Sequence, residues 1–515
     1  MRVLVFTLYE EPNLTKLEVG LSNLDRSKNV WRLFSVFVIQ TAHVPDEYWQ
    51  SVEVAHRLAF GYGYLTWEWR EGIRSYIYPF FISMVYRILA FFHLDYVSIL
   101  TNLPCILQAL LSAYADYRFY LWTRNKWALF SICTNWYWYY CAPRTLSNTL
   151  ETSLTTIALS IFPWKDSNYK TTGYLWIVAF LCAVRPTAAV IWTPLCVYHV
   201  LTTTSSRVSL LLKYLVIGIA TLAISTLIDT ICYGKLVISP LEFLRVNIFN
   251  QVGSFYGSEP IFWYFTAGMP VVLGVHCLTF TIGAWQVLKH PSKFHRQTIM
   301  LFTIGWTVAV YSLITHKEFR FILPLLSLFT YVSTSGIFIL NTRLSQFKRK
   351  IFMAILTLSN LLPAIYFCLI HQRGSLDVMK ILHHEAAIAR YYDMNILFLT
   401  PCHATPYYSH LHVNVSARFL TCEPNLEIRE DYVDEASGFL KNPKLWLSQN
   451  YGDKIDTQIP THVVLFDKLA PDIHDFLDQY VQIARLFYAH FTQGSYGHYL
   501  LLAKLKSQCI RKSVS

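Results

Sequence analysis

The sequence predicts an all-α polytopic membrane protein of about 10–12 transmembrane helices with a small C-terminal α/β domain. Three observations predict it. Of 515 residues, 54% are hydrophobic and only 15% charged, and the mean hydropathy is +0.33; a soluble chain carries about a quarter charged residues. Apolar runs of spanning length recur from about residue 76 to 371, and in lipid such runs must be helical to satisfy their backbone. After His371 the chain turns polar and its apolar runs shorten.

Residues 1–29 read as a polar cytoplasmic segment, so the Asn13-Leu14-Thr15 sequon there is expected to go unused. Met1–Phe6 is too short an apolar run before Glu10 and Glu11 for a cleavable signal, which leaves insertion to the first span. The membrane domain is expected over 30–371. Its candidate spans lie near 30–42, 76–94, 97–115, 124–141, 146–163, 173–203, 208–233, 262–289, 297–315, 320–340 and 350–371. The run 173–203 is interrupted by Arg185-Pro186 and reads as one kinked helix or two short ones.

The net charge of +11 is dispersed between spans rather than gathered into a stripe, which argues against nucleic acid. Basic loops mark the cytoplasmic side instead. The densest are Lys289–Arg296 and Arg343–Lys350, so the loop His316–Arg320 belongs on the opposite face. Counting 173–203 as one crossing puts the first loop, 43–75, on that same face. Arg118, Arg124 and Lys126 conflict with this count, so the topology of 95–205 stays open.

The tail, 372–515, is expected to form the second domain. Ile396–Leu399 and Val463–Phe466 read as buried strands, and Ile381–Tyr391 and Asp475–Leu486 as helices. Most of the eleven Cys fall in apolar runs, where a thiol is a small hydrophobe. Cys402 and Cys422 lie in the polar tail and pair if it faces an oxidising compartment. No C-x-x-C supports a zinc site. Asn414-Val415-Ser416 is a glycosylation candidate.

Two loops carry unusual chemistry. Asp46 and Glu47 follow the first apolar segment, and Trp67, Glu68 and Arg74 precede the second. The acids either cap a helix starting near Tyr48 or supply a general base at the water edge. His316, Lys317, Glu318 and Arg320 put four ionisable groups into five positions between apolar spans. They either snorkel to water or clamp a phosphate, with Glu318 orienting the cations. Arg144, Asn148 and Glu151 are spaced i, i+4, i+7 for one helical face, as interhelical glue or as a substrate contact. Arg185, beside Pro186, is a further candidate for a lipid phosphate.

His316-Lys317-Glu318-Phe319-Arg320-Phe321, with Pro45-Asp46-Glu47 in the first loop, resembles glycosyltransferase family 22. Val44–His56, Tyr62–Trp69, Arg144–Thr149, Arg185–Ala188 and Pro401–His410 extend the resemblance over nearly the whole chain from about residue 30. The resemblance implies the GT-C fold and an endoplasmic-reticulum membrane location with a lumenal active site. It also implies dolichyl-phosphate mannose as donor. Within the family it points to GPI-anchor assembly, with a glycolipid already bearing two mannoses as acceptor and an α-1,2-linked third mannose as product. A β-linked donor giving an α-linked product implies inversion by single displacement. Asp46 is then the expected base, with Glu47 positioning the acceptor sugar or holding Asp46. Lys317, Arg320, His316 and Arg185 would stabilise the leaving phosphate. No cofactor is expected, and without an Asp-x-Asp cluster no obligate metal. Membrane lipid is the expected surroundings, and the sequence names no protein partner.

The sequence also fits three alternatives: a relative acting on the dolichol-linked N-glycan precursor or adding the fourth GPI mannose, a polytopic lipid transporter or scramblase, and a scaffold subunit.

Overall fold

A computed structural model describes residues 30–165, 172–388, 394–427, 430–452 and 459–507; the segment 1–29 and its Asn13 sequon lie outside them. The chain divides into two compact units. Of the described residues, one comprises 30–38, Gly72–Ile77 and Pro104–Ala364; the other comprises Ile39–Glu71, Tyr78–Leu103 and those from Ile365 on.

Helices dominate the first unit, and many follow the apolar runs: Ser147–Ile161, Arg207–Tyr233, His295–Ser312 and Leu326–Arg343. Arg207–Tyr233 turns Leu211, Leu215, Val216 and Ile219 outward, as a lipid-facing helix does. The helices His276–Lys289 and Leu326–Arg343 meet through glycine. A Cβ on Gly283 would lie 2.3 Å from the Val332 carbonyl oxygen, and one on Gly336 2.0 Å from that of Thr279. Small residues let membrane helices approach this closely.

Fewer uninterrupted spans form than the apolar runs suggest. Among the described residues four helices are long and apolar enough to cross a bilayer, or five if one bent pair counts as a span. The reason is local. The run 173–203 becomes two helices, Tyr174–Val184 and Ala188–Thr202, with Arg185 extended at φ −138°, because Pro186 disfavours helix at the residue before it. The run 124–141 divides at Asn135, whose side chain accepts from Trp138 N and caps the second piece. The first segment is helical only over 30–38.

The run 262–289 breaks by 112° between Tyr264–Leu273 and His276–Lys289, at Gly274 with φ +54°. Carbonyls opened by such a break cost several kcal/mol each if left bare in lipid. Here Trp136 Nε1 donates to the Val271 carbonyl at 2.8 Å and Asn135 Nδ2 to that of Val272 at 2.9 Å.

The second unit holds a five-stranded sheet: β1 Asn395–Leu399, β2 Ser416–Phe419, β3 His462–Phe466, β4 Tyr480–Phe487 and β5 Tyr499–Leu505, in the order β2-β1-β3-β5-β4. β1 runs parallel to β2 and β3, while β5 is antiparallel to β3 and β4. The two expected strands are thus at its centre, and both are apolar because both sheet faces are covered. The helix expected over Asp475–Leu486 is corrected: after a short turn His474–Leu477, residues 480–487 form edge strand β4. Its pairing partner β5 supplies the ladder that local apolar spacing cannot reveal. The helix expected at Ile381–Tyr391 begins earlier, at Gly374, and is described to Ile388.

One face of the sheet, with Ile396, Phe398, Val464 and Phe466, packs with Val378 and Leu382 and also with Tyr48, Trp49 and Val52 of the first loop. The opposite face, with Leu397, Leu399, Val463 and Leu465, packs on Phe439 and Leu447.

Candidate functional site

In the second unit Asp46 and Glu47 open the helical stretch 46–60. Helical spacing separates their fates. Glu47 is buried at 4% exposure, whereas Asp46 stays half-buried. One turn on, Gln50 donates its amide both to Asp46 Oδ2, at 2.5 Å, and to Glu68 Oε2, at 3.1 Å. A primary amide has two N–H donors and so can hold two carboxylates at once. Trp67 and Trp69 beside Glu68 are buried, and Trp69 Nε1 anchors on the Trp49 carbonyl.

Trp49 fixes this loop to the tail. Its ring stacks on Tyr407 at 5.5 Å and meets His403 at 4.5 Å and Phe419 at 5.1 Å, while its Nε1 donates to the Thr405 carbonyl. Burial holds the His403 imidazole down at about 4 although the Asp46 carboxylate pulls it upward; it is neutral at pH 7. Cys402 and Cys422 form a disulfide. With His403 their ligand atoms lie within 4.8 Å of one another, but bonded sulfurs are not thiolates, so this cluster offers a metal only an imidazole. Next to the disulfide, Glu423 pairs with Arg70 and accepts from the Tyr64 hydroxyl at 3.5 Å. Asn414 is exposed, as is Ser416 of its sequon.

The first unit carries the other expected residues. Glu318 accepts from both Nε and Nη2 of Arg320, at 2.7 and 2.6 Å, and lies 3.1 Å from His316 Nε2. Burial pushes the Glu318 carboxyl up, but the Arg320 guanidinium and His316 overcome it and hold the group well below the usual carboxylate range. Glu318 thus holds the Arg320 guanidinium at two points and lies beside His316. Lys317 is turned inward: its ammonium donates to the carbonyls of Glu259 and Ile314 at 2.9 and 2.6 Å, with 5% of the residue exposed.

Asn148 joins this loop to Arg185. Its Nδ2 donates to the Arg320 carbonyl at 3.1 Å, and its Oδ1 accepts from Arg185 Nη1 at 3.3 Å. Arg185 also binds Glu151 Oε2 at 2.8 Å and Ser147 Oγ at 2.7 Å. The break at Pro186 is what frees the Arg185 backbone to aim its side chain back onto the helix Ser147–Ile161. Arg144 departs from the expected stripe. The helix begins at Ser147, after an extended Leu146, so Arg144 lies outside it; its guanidinium covers the Tyr140 ring at 4.1 Å and donates to the Tyr140 carbonyl. Arg74 is half-buried, and its carbonyl accepts from Tyr233 and Ser239.

Sequence reasoning missed four residues. Gln50 and Glu53 stand one and two turns beyond Asp46, and that spacing was a usable signal. Asp229 fixes the 74–76 turn by accepting from Ser75, Tyr76 N and Ser239, its signal being an acid inside the apolar run 208–233; His403 lies against Trp49. Chemically, the second unit presents a half-buried carboxylate with a fixed orientation, and the first unit presents guanidinium groups braced by acids.

Residues 29–412 match the model of the Alg9-like mannosyltransferase family. The chain is similar to GPI mannosyltransferase 3 of Drosophila melanogaster, with 49% identity over 90% of this chain and 83% of the relative. It is also similar to GPI alpha-1,2-mannosyltransferase 3 of Homo sapiens, at 39% identity over 92% and 85%. Among solved structures, ArnT from Cupriavidus metallidurans bound to undecaprenyl phosphate superposes with a TM-score of 0.58 over 96% of this chain and 99% of that one. At 12% identity that likeness concerns the fold. With one family model spanning the greater part of the chain and relatives alike over nine-tenths of it, the chain belongs to the Alg9-like mannosyltransferase family.

Proposed function

We propose that this protein is an α-1,2-mannosyltransferase of GPI-anchor assembly. It transfers the third mannose from dolichyl-phosphate mannose to a glycolipid bearing two. The observation that carries the reading is the 49% identity over nine-tenths of the chain to a GPI mannosyltransferase 3, supported by relatives named as α-1,2 enzymes. The GT-C fold suits it, and ArnT, whose fold this chain shares, holds a polyprenyl phosphate, the chemical class proposed here for the donor.

In the proposed step the acceptor's 2-hydroxyl oxygen attacks the anomeric carbon of the donor. The new C–O bond forms as the bond to phosphate breaks, the hydroxyl proton passes to Asp46, and dolichyl phosphate leaves as an anion. Asp46 is preferred over Glu47 because it is the more exposed of the two, and a base must reach the proton it takes. Such a base contributes roughly 10²–10⁴-fold. Glu47, Trp67 and Glu68 line the acceptor's side in this reading. A phosphate leaving group needs electrostatic stabilisation rather than an acid; Arg320, His316, Arg185 and Lys317 are assigned that role, and no metal is given one. Arg144 and Arg74 are assigned binding rather than chemistry.

The endoplasmic-reticulum lumen is the proposed side. The unit containing Asp46 holds the Cys402–Cys422 disulfide, which suits an oxidising compartment. The proposed domains are a cytoplasmic segment 1–29, a membrane domain 30–371 with its first loop 43–75 lumenal, and a lumenal domain 372–515.

The test is rescue of surface GPI-anchored protein in cells lacking the third-mannose step, comparing wild type with Asp46→Asn, Glu47→Gln and Lys317→Ala. Wild type should rescue, and Asp46→Asn should stall at the two-mannose glycolipid despite normal expression. Rescue by Asp46→Asn with failure of Glu47→Gln moves the base to Glu47. A wild type that leaves the two-mannose intermediate sinks the acceptor assignment.

A further inference from the structure

Glu53 lies two helical turns beyond Asp46 and is 1% exposed. Its carboxylate accepts three bonds from one short segment of the tail: Tyr407 N at 2.7 Å, Ser409 N at 3.0 Å and Ser409 Oγ at 2.5 Å. Nothing in the transfer chemistry uses this group, and these three donors offset the cost of burying its charge. Its placement names its role. The helical stretch that Glu53 grips also carries Asp46, Glu47 and Gln50, and Gln50 orients Asp46. The segment it grips, Tyr407–Ser409, also stacks Tyr407 on Trp49.

We infer that Glu53 is a positioning residue for the transfer reaction. Its carboxylate locks the helix bearing Asp46 onto the tail segment Tyr407–Ser409 and so fixes where the base carboxylate stands. The inference rests on the proposed role of Asp46. Three donors converging from one side require a pure acceptor, and an ionised carboxylate is the side chain that offers accepting oxygens at both ends. Burial raises the Glu53 carboxyl to about 7 against the pull of those donors. Glutamine has the same shape, but with its oxygen kept toward Tyr407 N and Ser409 Oγ its NH₂ faces the Ser409 N–H. The helix must then shift, and a 1 Å misplacement of catalytic geometry costs roughly 100-fold.

The experiment uses the purified full-length chain in detergent with dolichyl-phosphate mannose and the two-mannose glycolipid. Thermal unfolding, kcat and KM are measured for wild type, Glu53→Gln, Ser409→Ala and Asp46→Asn. For Glu53→Gln, kcat per folded molecule should fall roughly 100-fold with the donor KM unchanged. A variant that only loses folded protein, each folded molecule turning over normally, overturns the inference. If Glu53→Gln does not accumulate, Ser409→Ala decides: it removes the hydroxyl donor and keeps both backbone donors. A several-fold lower kcat at unchanged donor KM supports positioning, and a wild-type kcat refutes it. Asp46→Asn separates the two levels. If it turns over normally, the base assignment fails and the inference with it; if it is dead while Glu53→Gln is normal, only the inference fails.

Discussion

Gln50 supplies orientation without charge: its amide holds the Asp46 and Glu68 carboxylates together that would otherwise repel. Arg320 is fixed differently, by a two-point fork onto Glu318. A guanidinium matches a carboxylate at two points and an ammonium does not. Arg320→Ala should therefore lower turnover by about 10²–10³-fold, and Arg320→Lys, keeping charge without the fork, should fall between that and wild type. Equal losses in steady-state assays would remove charge from the account of this position. Of these residues, Asp46 and the His316–Arg320 cluster were legible because ionisable groups beside apolar runs are conspicuous. Gln50 was legible only as helical spacing. Glu53 was legible by the same spacing, but its partner Ser409, 356 positions away, was not.

At the scale of elements, the helical stretch 46–60 packs on the tail through groups that must stay neutral. Burial pulls His56 down to about 3, with His412 adding to it, and burial likewise lowers His403 to about 4 and His410 to about 3. Groups with depressed folded pKa values contribute stability that is complete above their unfolded value near 6.5 and is lost as pH falls toward 3–4. Glu53 works the other way: its raised pKa favours the fold as pH falls from about 7 toward 4.5. Three histidines outweigh one carboxyl, so the unfolding temperature of the purified chain should be lower at pH 5 than at pH 7.5. A higher value at pH 5 would contradict the neutral-histidine account. The elements were unevenly legible. β1 and β3 announced themselves as short apolar runs buried on both faces, whereas β4 read as a helix because an edge strand's identity resides in its partner β5. The breaks at Pro186 and Gly274 show why apolar length overcounts uninterrupted spans: hydropathy registers lipid preference, and backbone dihedrals decide continuity.

For the whole molecule, the division into units crosses the order of the sequence: residues 39–71 belong with the tail, which no reading of consecutive segments could anticipate. The side of the membrane on which the tail lies is also a property of the whole molecule. Asn414 and Ser416 are exposed, so the protein made in cells should run faster on a gel after endoglycosidase H, and Asn414→Gln should abolish the shift. An unmodified wild type would count against a lumenal tail. The bent pair at Gly274 carries a consequence of another kind. Its open carbonyls at Val271 and Val272 are met by Trp136 and Asn135, from a distant part of the chain. A lineage that straightens the helix strands two donors, and one that first alters Asn135 bares a carbonyl in lipid. Positions 135, 136 and 274 are thus epistatic: each is a conditional requirement of the others, and drift at any one of them is open only to descendants that change in concert.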